Sequence, residues 1–268
     1  MSKHAVSNEI RVIVINRKKD TERRKVMSER LDALGLEHEF LEAVDGHSFE
    51  AHAAPEYDGK KRRRYFGRDL TAGEIGCLLS HRAVCQKMVD ENIPLALVLE
   101  DDTYFKEDLP AVLEALLKTN IAWDMVRFLN WDKIFKGPHR ILSSLVGDYK
   151  LARVQATPGG AYAYVLTRHS AEVMLRFTKK NWLPIDALQG RCWETGLNIL
   201  VTKPTPAFAD FDVPSTIGDG RFDKKITATG LTRVLFPIFR FCFKFGSGFA
   251  KRRYFKSTEM LDKQGKGI

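Results

Sequence analysis

The sequence predicts an α/β domain organised around a parallel sheet. The run Ile10–Ile15 (IRVIVI) is short, β-branched and almost wholly apolar, as suits a strand buried on both faces. Strand-like and helix-like segments then alternate along most of the chain. A second apolar run, Leu95–Leu99 (LALVL), ends in Glu100-Asp101-Asp102, three carboxylates at the kind of strand end where open α/β sheets bind ligands.

After the first strand comes a polar turn, and Asp20 is placed to cap a helix whose inner face is Val26, Met27, Leu31 and Leu34, with Gly35 as its stop. His38–Val44 reads as the second strand and ends in Asp45-Gly46, completing β-α-β. Residues 48–69, with KKRRRYFGR, read as a basic loop open to movement. Thr71 and Glu74 then form a capping box for a helix that turns Ile75, Leu78, Leu79, Val84, Met88 and Val89 inward. Pro94 precedes the LALVL strand. A helix over Leu109–Leu117, strands over Met125–Leu129 and Ala161–Leu166, and a helix from Thr167 or Arg168 continue the alternation. Pro184 sits in the first turn of another helix, and Leu197–Thr202 closes the sheet.

At 268 residues, with 43 Lys and Arg against 34 Asp and Glu, the chain has a formal charge of +9. That balance favours a polyanionic partner: nucleic acid, anionic lipid or a phosphorylated substrate. No nucleic-acid-binding module is present, which counts against the first. Cys77, Cys85, Cys192 and Cys242 show no C-x-x-C spacing and read as free thiols of a reducing compartment. The N-terminal residues lack a secretory pattern, and no run approaches a membrane span. A cytoplasmic protein is expected.

Three adjacent acids repel one another, and burying any of them is costly unless a cation neutralises them. Such hard oxygen ligands suit Mn²⁺ or Mg²⁺, completed by substrate phosphates; an acidic exit into water is the plainer alternative. Arg23 and Arg24 are placed to reach a diphosphate or to form a solvated helix face. The sequence has neither a G-x-G-x-x-G nor a P-loop motif, so those phosphate-binding modes do not apply.

Several motifs together carry a resemblance. They are Val14-Ile15-Asn16 with Glu22-Arg23-Arg24, Ala43-Val44-Asp45-Gly46, and the run Leu70 to His81 (LTAGEIGCLLSH). Leu99-Glu100-Asp101-Asp102, Gly159-Gly160-Ala161-Tyr162, Leu183-Pro184-Ile185-Asp186 and Pro214-Ser215-Thr216-Ile217-Gly218 complete the set. Over about residues 10 to 220 the chain resembles the family of lipooligosaccharide (LPS core) galactosyltransferases, which is related to the collagen hydroxylysine galactosyltransferases. Arg17 departs from it, standing where relatives tend to carry an apolar residue.

The resemblance implies a GT-A-type nucleotide-sugar-binding domain with a mixed, mainly parallel sheet, over residues 1–220. It also implies UDP-galactose as donor, a lipooligosaccharide acceptor and inversion at the anomeric carbon. Glu100 and Asp102 are then the metal ligands for Mn²⁺ (or Mg²⁺). Asn16, Arg24, Ser80, His81, Glu100, Asp101 and Asn130 are the candidate donor contacts. Asp186 is the first choice for the base, with Glu194, Asp212 and Asp210 as reserves; an acid in the first turn of a helix also has a purely electrostatic use. Trp131 is a candidate for stacking on a sugar ring. A UDP-glucose-specific transferase of the same fold and a metal-dependent nucleotidyl- or phosphotransferase are the alternatives.

Residues 221–268 stand apart. From Leu231 to Lys256 there are seven Lys and Arg, seven Phe and no acid. Leu231, Val234, Leu235, Ile238, Cys242, Phe245 and Phe249 recur at helical steps, with Arg233, Arg240, Lys244 and Lys251 on another face. This basic amphipathic element suits an anionic membrane surface, attaching the protein peripherally to the inner membrane; a terminal helix packing its Phe face onto the catalytic domain, with the basic face in water, is the alternative. Pro237, Gly246 and Gly248 are expected to divide it into short helices.

Overall fold

The computed structural model describes residues 9–130, 132–209 and 226–264. Its first unit is the expected β-α-β: β1 (Arg11–Asn16), α1 (Thr21–Ala33) and β2 (His38–Glu42), with β1 and β2 parallel. Alternation within β1 explains its apolar run, because both faces are covered. Val12 and Val14 pack with Met27 and Leu31 of α1, whereas Ile13 and Ile15 face the opposite core layer. Gly35 adopts the left-handed conformation (φ 68°) that ends α1. Asp20 precedes α1, but its carboxylate accepts from Arg17 Nε at 2.6 Å and forms no side-chain cap.

The remaining elements in chain order are α2 (Gly59–Phe66), α3 (Ala72–Asp90), β3 (Leu95–Glu100), β4 (Thr103–Phe105), α4 (Leu109–Lys118) and β5 (Met125–Arg127). Next come β6 (His139–Ser144), β7 (Lys150–Val154), β8 (Ala163–Thr167), α5 (Arg168–Thr178), α6 (Ile185–Gln189) and α7 (Cys192–Thr195). The chain ends with β9 (Ile199–Lys203), β10 (Ala207–Ala209), α8 (Gly230–Ser257) and α9 (Glu259–Gln264). Eight strands form one mixed, mainly parallel sheet in the order β2-β1-β3-β8-β5-β9-β7-β6. β8 and β7 run against the direction shared by the others. β4 and β10 form a separate antiparallel pair. From β1 the chain steps to β2 on one side and returns to β3 on the other, so the carboxyl ends of β1 and β3 flank a topological switch point.

α3 covers one face of this sheet. Its capping box is complete: Glu74 N donates to Thr71 Oγ1 at 3.1 Å, and Thr71 N to Glu74 Oε2 at 2.8 Å. The helix approaches the turn after β2 very closely. A Cβ on Gly46 would stand 1.8 Å from Ala72 O, and one on Gly76 would stand 2.6 Å from Val44 O. The glycines of V-D-G and G-E-I-G-C are therefore required by backbone contact.

Three expectations are corrected. Residues 48–69 are not a continuous loop, since Asp58 accepts from Lys61 N at 2.9 Å and starts α2, which Gly67 ends at φ 72°. Leu197–Thr202 does not close the sheet, because β9 lies between β5 and β7 and the β6–β7 hairpin forms that edge. Nor do Pro237, Gly246 and Gly248 divide the C-terminal element, for α8 runs unbroken over 28 residues. Tertiary packing overrides the local breakers there. Phe239 and Phe243 meet Tyr65, Phe243 also meets Phe66 and Trp182, and Phe236 lies against Gly67, where any Cβ would meet its ring at 2.9 Å. All four cysteines are free.

The far end of this helical pair is held by charge. Asp262, 5% exposed, accepts from Arg140 Nε at 2.7 Å and from Arg153 Nη2 at 2.8 Å; Arg153 is 2% exposed. Removing one partner of such a buried group strands the others, at a cost of about 3–5 kcal/mol. Asp262→Ala is expected to lower stability by that amount in urea unfolding, and a change below about 1 kcal/mol would show the cluster to be an ordinary surface pair.

Candidate active site at the carboxyl ends of the central strands

The three acids after β3 have three different environments. Glu100 Oε1 lies 3.1 Å from His81 Nε2 and accepts a weak bond from Cys77 Sγ at 3.8 Å. His81 Nδ1 lies 2.8 Å from Tyr164 Oη, and protonation at Nε2 satisfies both contacts, with the tyrosine hydroxyl donating to Nδ1. Asp101 accepts from Asn16 Nδ2 at 2.8 Å and from Arg23 Nη1 at 3.1 Å. Asp102 differs, since its Oδ1 is buried without a hydrogen-bond partner.

The electrostatics agree with that geometry. Burial, then the charges of Glu100 and Asp101, push Asp102 up to about 7. Burial also raises Asp101, against the opposing pull of Asn16 and Arg23. A buried carboxylate oxygen without a partner, beside two like charges, is a donor set that fits a hard divalent cation. Asp102, with the charges of Glu100 and Asp101 beside it, could hold one.

The other candidates separate into contacts and braces. Asn16 is 2% exposed and joins β1 to Asp101, leaving its own Oδ1 buried and unpaired. Arg24 stacks on Phe40 at 4.2 Å, so Arg23 is the α1 arginine that reaches the acidic strand end. Ser80 is a brace: it accepts from Val44 N and donates to Gly76 O, both at 2.8 Å. Asn130 is exposed just past β5, its backbone N–H donating to Tyr162 Oη at 2.6 Å.

Asp186 sits in the first turn of α6, and its Oδ2 accepts from Gly160 N at 2.9 Å. A Cβ on Gly159 would stand 2.9 Å from the same oxygen, and Gly160 adopts φ 92°, a conformation that favours glycine. Asp186 and Asp102 both lie close enough to raise the Cys77 thiol, after the larger effects of burial and Glu100. Glu194 is turned elsewhere, accepting from Arg191 Nε at 2.6 Å. Asp210, Asp212, Trp131 and Pro214–Gly218 lie outside the described residues.

Sequence reasoning missed Arg127, Tyr164 and Cys77. Arg127 is 2% exposed, donates to Gly160 O at 2.5 Å and ties β5 to the glycine pair beside Asp186. An arginine closing the apolar strand Met125-Val126-Arg127 was the available signal. A cleft of about 840 Å³ beside α3, lined by Phe49, Ala53, Leu79, Arg82, Gln86 and Asp90, shares none of these residues.

The sheet and its strand-end carboxylates define a GT-A-like α/β fold. The chain belongs to glycosyltransferase family 25 (LPS biosynthesis protein), whose model matches residues 9–189. It is similar to a glycosyltransferase 25 family member of Aedes aegypti, 36% identical over 138 residues, covering 48% of this chain and 21% of that protein. It is also similar to procollagen galactosyltransferase 1 of Danio rerio, 28% identical over 192 residues, covering 65% of this chain and 30% of the relative. A mouse relative, 28% identical over 134 residues and covering 48% of this chain and 22% of its own, is called inactive glycosyltransferase 25 family member 3. These matches span less than a third of each relative.

Asp102→Asn removes one charge at nearly constant volume. Calorimetric titration with Mn²⁺ is expected to show binding by the unaltered protein and none by the variant. The variant's metal-free melting temperature should be equal or higher, because like-charge repulsion is relieved. Equal Mn²⁺ affinity in both would remove Asp102 from the ligand set.

Proposed function

We propose that this chain transfers galactose from UDP-galactose to a lipooligosaccharide acceptor, with inversion and with Mn²⁺ (or Mg²⁺) as cofactor. The observation that carries the reading is the pair of unpaired buried oxygens, Asp102 Oδ1 and Asn16 Oδ1, at adjacent strand ends. One suits a cation and the other an N–H donor such as that of a uracil ring. The galactose donor is favoured by the names of the procollagen galactosyltransferases, and the glycan acceptor by the LPS biosynthesis description of the family. The formal charge of +9 further suits a phosphorylated glycan.

When bound, the cation would offset charge growing on the departing diphosphate. The chain's own residues supply the remainder. Asp102 and Glu100 would hold the cation, while Asn16 and Arg23 keep Asp101 fixed between β1 and β3. Asn16 Oδ1 accepts from the nucleobase. Asp186 takes the proton of the acceptor hydroxyl at a carboxylate oriented by the Gly160 N–H. Asp186→Asn is expected to leave UDP-galactose affinity within a few-fold and to slow transfer by about 10²–10⁴, the range of a positioned base. Transfer at an unchanged rate would reduce Asp186 to its contact with the α6 N-terminus. A panel of UDP-sugars distinguishes the glucose-specific alternative.

The same reading places the enzyme on the inner membrane. With one face of α8 packed, the outward face still presents Leu231, Val234, Ile238, Phe241, Phe245 and Phe249, each 61–72% exposed. Arg233, Lys244, Arg252, Arg253 and Lys256 are exposed along the same helix, which contains no acid. No helix among the described residues is long and apolar enough to cross a membrane. A surface of this composition suits an anionic bilayer, at about 1 kcal/mol per basic residue at low salt. The packed face meets Trp182, four residues before Asp186, so docking would bring the acceptor side of the site toward lipid-linked glycan. Flotation with anionic vesicles is expected to recover the full-length protein and to lose a Phe241→Glu/Phe245→Glu variant, whose altered positions face solvent. Equal flotation of both would refute the docking face.

A further inference from the structure

Cys77 and His81 stand one turn apart on α3, at the i, i+4 spacing that puts two side chains on one helix face. Both point at the same atom, Glu100 Oε1, across the interface between α3 and the end of β3. The three potential ligand atoms lie within 4.8 Å of one another. Two of the separations, 3.1 Å for His81 Nε2 to Glu100 Oε1 and 3.8 Å for Cys77 Sγ to Glu100 Oε1, can be compared with a known geometry. In a tetrahedral zinc site the corresponding N···O and S···O edges are about 3.3 and 3.5 Å, from metal–ligand bonds of about 2.0–2.3 Å. Both edges at Glu100 Oε1 are thus within a few tenths of an ångström of the tetrahedral values, and the third donor pair, Cys77 Sγ and His81 Nε2, lies within 4.8 Å.

We propose that Cys77, His81 and Glu100 form a binding site for a borderline-soft divalent cation of the zinc type, distinct in chemistry from the hard-cation site at Asp102. A thiolate and an imidazole select zinc-like ions over Mg²⁺ or Mn²⁺, which prefer all-oxygen sets. The surroundings supply what such a site requires. Tyr164 Oη, 2.8 Å from His81 Nδ1, becomes the acceptor that fixes the ring once Nε2 is given to the metal. His81 is buried, whereas Cys77 is half-buried and the Glu100 side chain is 25% exposed, so the cluster borders solvent on the Glu100 side. On binding, the Cys77 S–H bond breaks as the sulfur–metal bond forms, and its proton leaves to solvent. His81 remains neutral, with its proton at Nδ1 directed to Tyr164, and Glu100 exchanges two weak donors for one cation.

Glu100 is common to both sites, which gives the second site a consequence. An ion held by Cys77 and His81 would withdraw negative charge from the Glu100 carboxylate, which already faces α3 through Oε1, and so weaken it as a ligand for the cation at Asp102. This part of the inference rests on the transferase reading above: zinc-type ions would inhibit transfer in the presence of saturating Mn²⁺, by occupying a place Mn²⁺ does not fill.

The test uses the full-length protein stripped with EDTA and titrated with Co²⁺, without any nucleotide-sugar. A thiolate-to-cobalt charge-transfer band with tetrahedral visible bands is expected to saturate at one equivalent and to be discharged by one equivalent of Zn²⁺. The band should vanish in Cys77→Ser and persist in Asp102→Asn, with melting curves confirming that both variants are folded. No such band, or its survival in Cys77→Ser, would overturn the site. A band in a protein that transfers no sugar would leave the site standing and refute the transferase reading instead. Full transfer with Zn²⁺ bound would refute the shared role of Glu100.

Discussion

Three consecutive carboxylates at the end of a fully covered strand impose a demand that the rest of the structure answers one residue at a time. The strand ends at Glu100 and the chain turns at Asp101 and Asp102, so the three neighbouring acids face different partners. Glu100 is met by α3, through His81 and Cys77, and Asp101 by β1 and α1, through Asn16 and Arg23. Asp102 is left with a buried oxygen that no hydrogen bond satisfies. Charge at that point is costly unless a cation neutralises it or the carboxyl takes up a proton, and burial with the neighbouring acids accordingly pushes Asp102 up to about 7.

The close packing of α3 serves the same demand. His81 and Cys77 reach Glu100 only because α3 lies tight against the turn after β2, and Gly46 and Gly76 make that approach sterically possible. The capping box starts the helix in register, and Ser80 bonds it to both Gly76 and Val44. Motifs far apart in the chain thus meet for one physical reason: each supplies backbone proximity or a donor to the acidic strand end.

Much of this was legible in the sequence, and what was hidden shares a cause. β1 and β3 declare themselves because both faces are buried, so their residues are almost all apolar. The capping box of α3 is a local signal. The β6–β7 hairpin was not legible, since its strands carry Arg140 and Arg153, whose partner Asp262 lies more than a hundred residues away. α2 was read as a loop because KKRRR has no apolar period; it is fixed by Asp58, Gly67 and the rings of α8. Likewise the local signal of Pro237 is outweighed by packing of α8 against Tyr65, Phe66 and Trp182, partners remote in sequence. At the site, the residue types could be read, but not the division of work among the acids or the choice of Arg23 over Arg24. Those depend on which side chains face each other across β1, β3 and α3.

The most direct measurement is a crystal structure of the protein with UDP and Mn²⁺, using anomalous scattering to place the metal. The account predicts a manganese peak in ligand contact with Asp102, between the ends of β1 and β3, and a uracil N–H directed at Asn16 Oδ1. A nucleotide bound in the cleft lined by Phe49, Leu79 and Gln86, or a metal with no contact to Asp102, would contradict it.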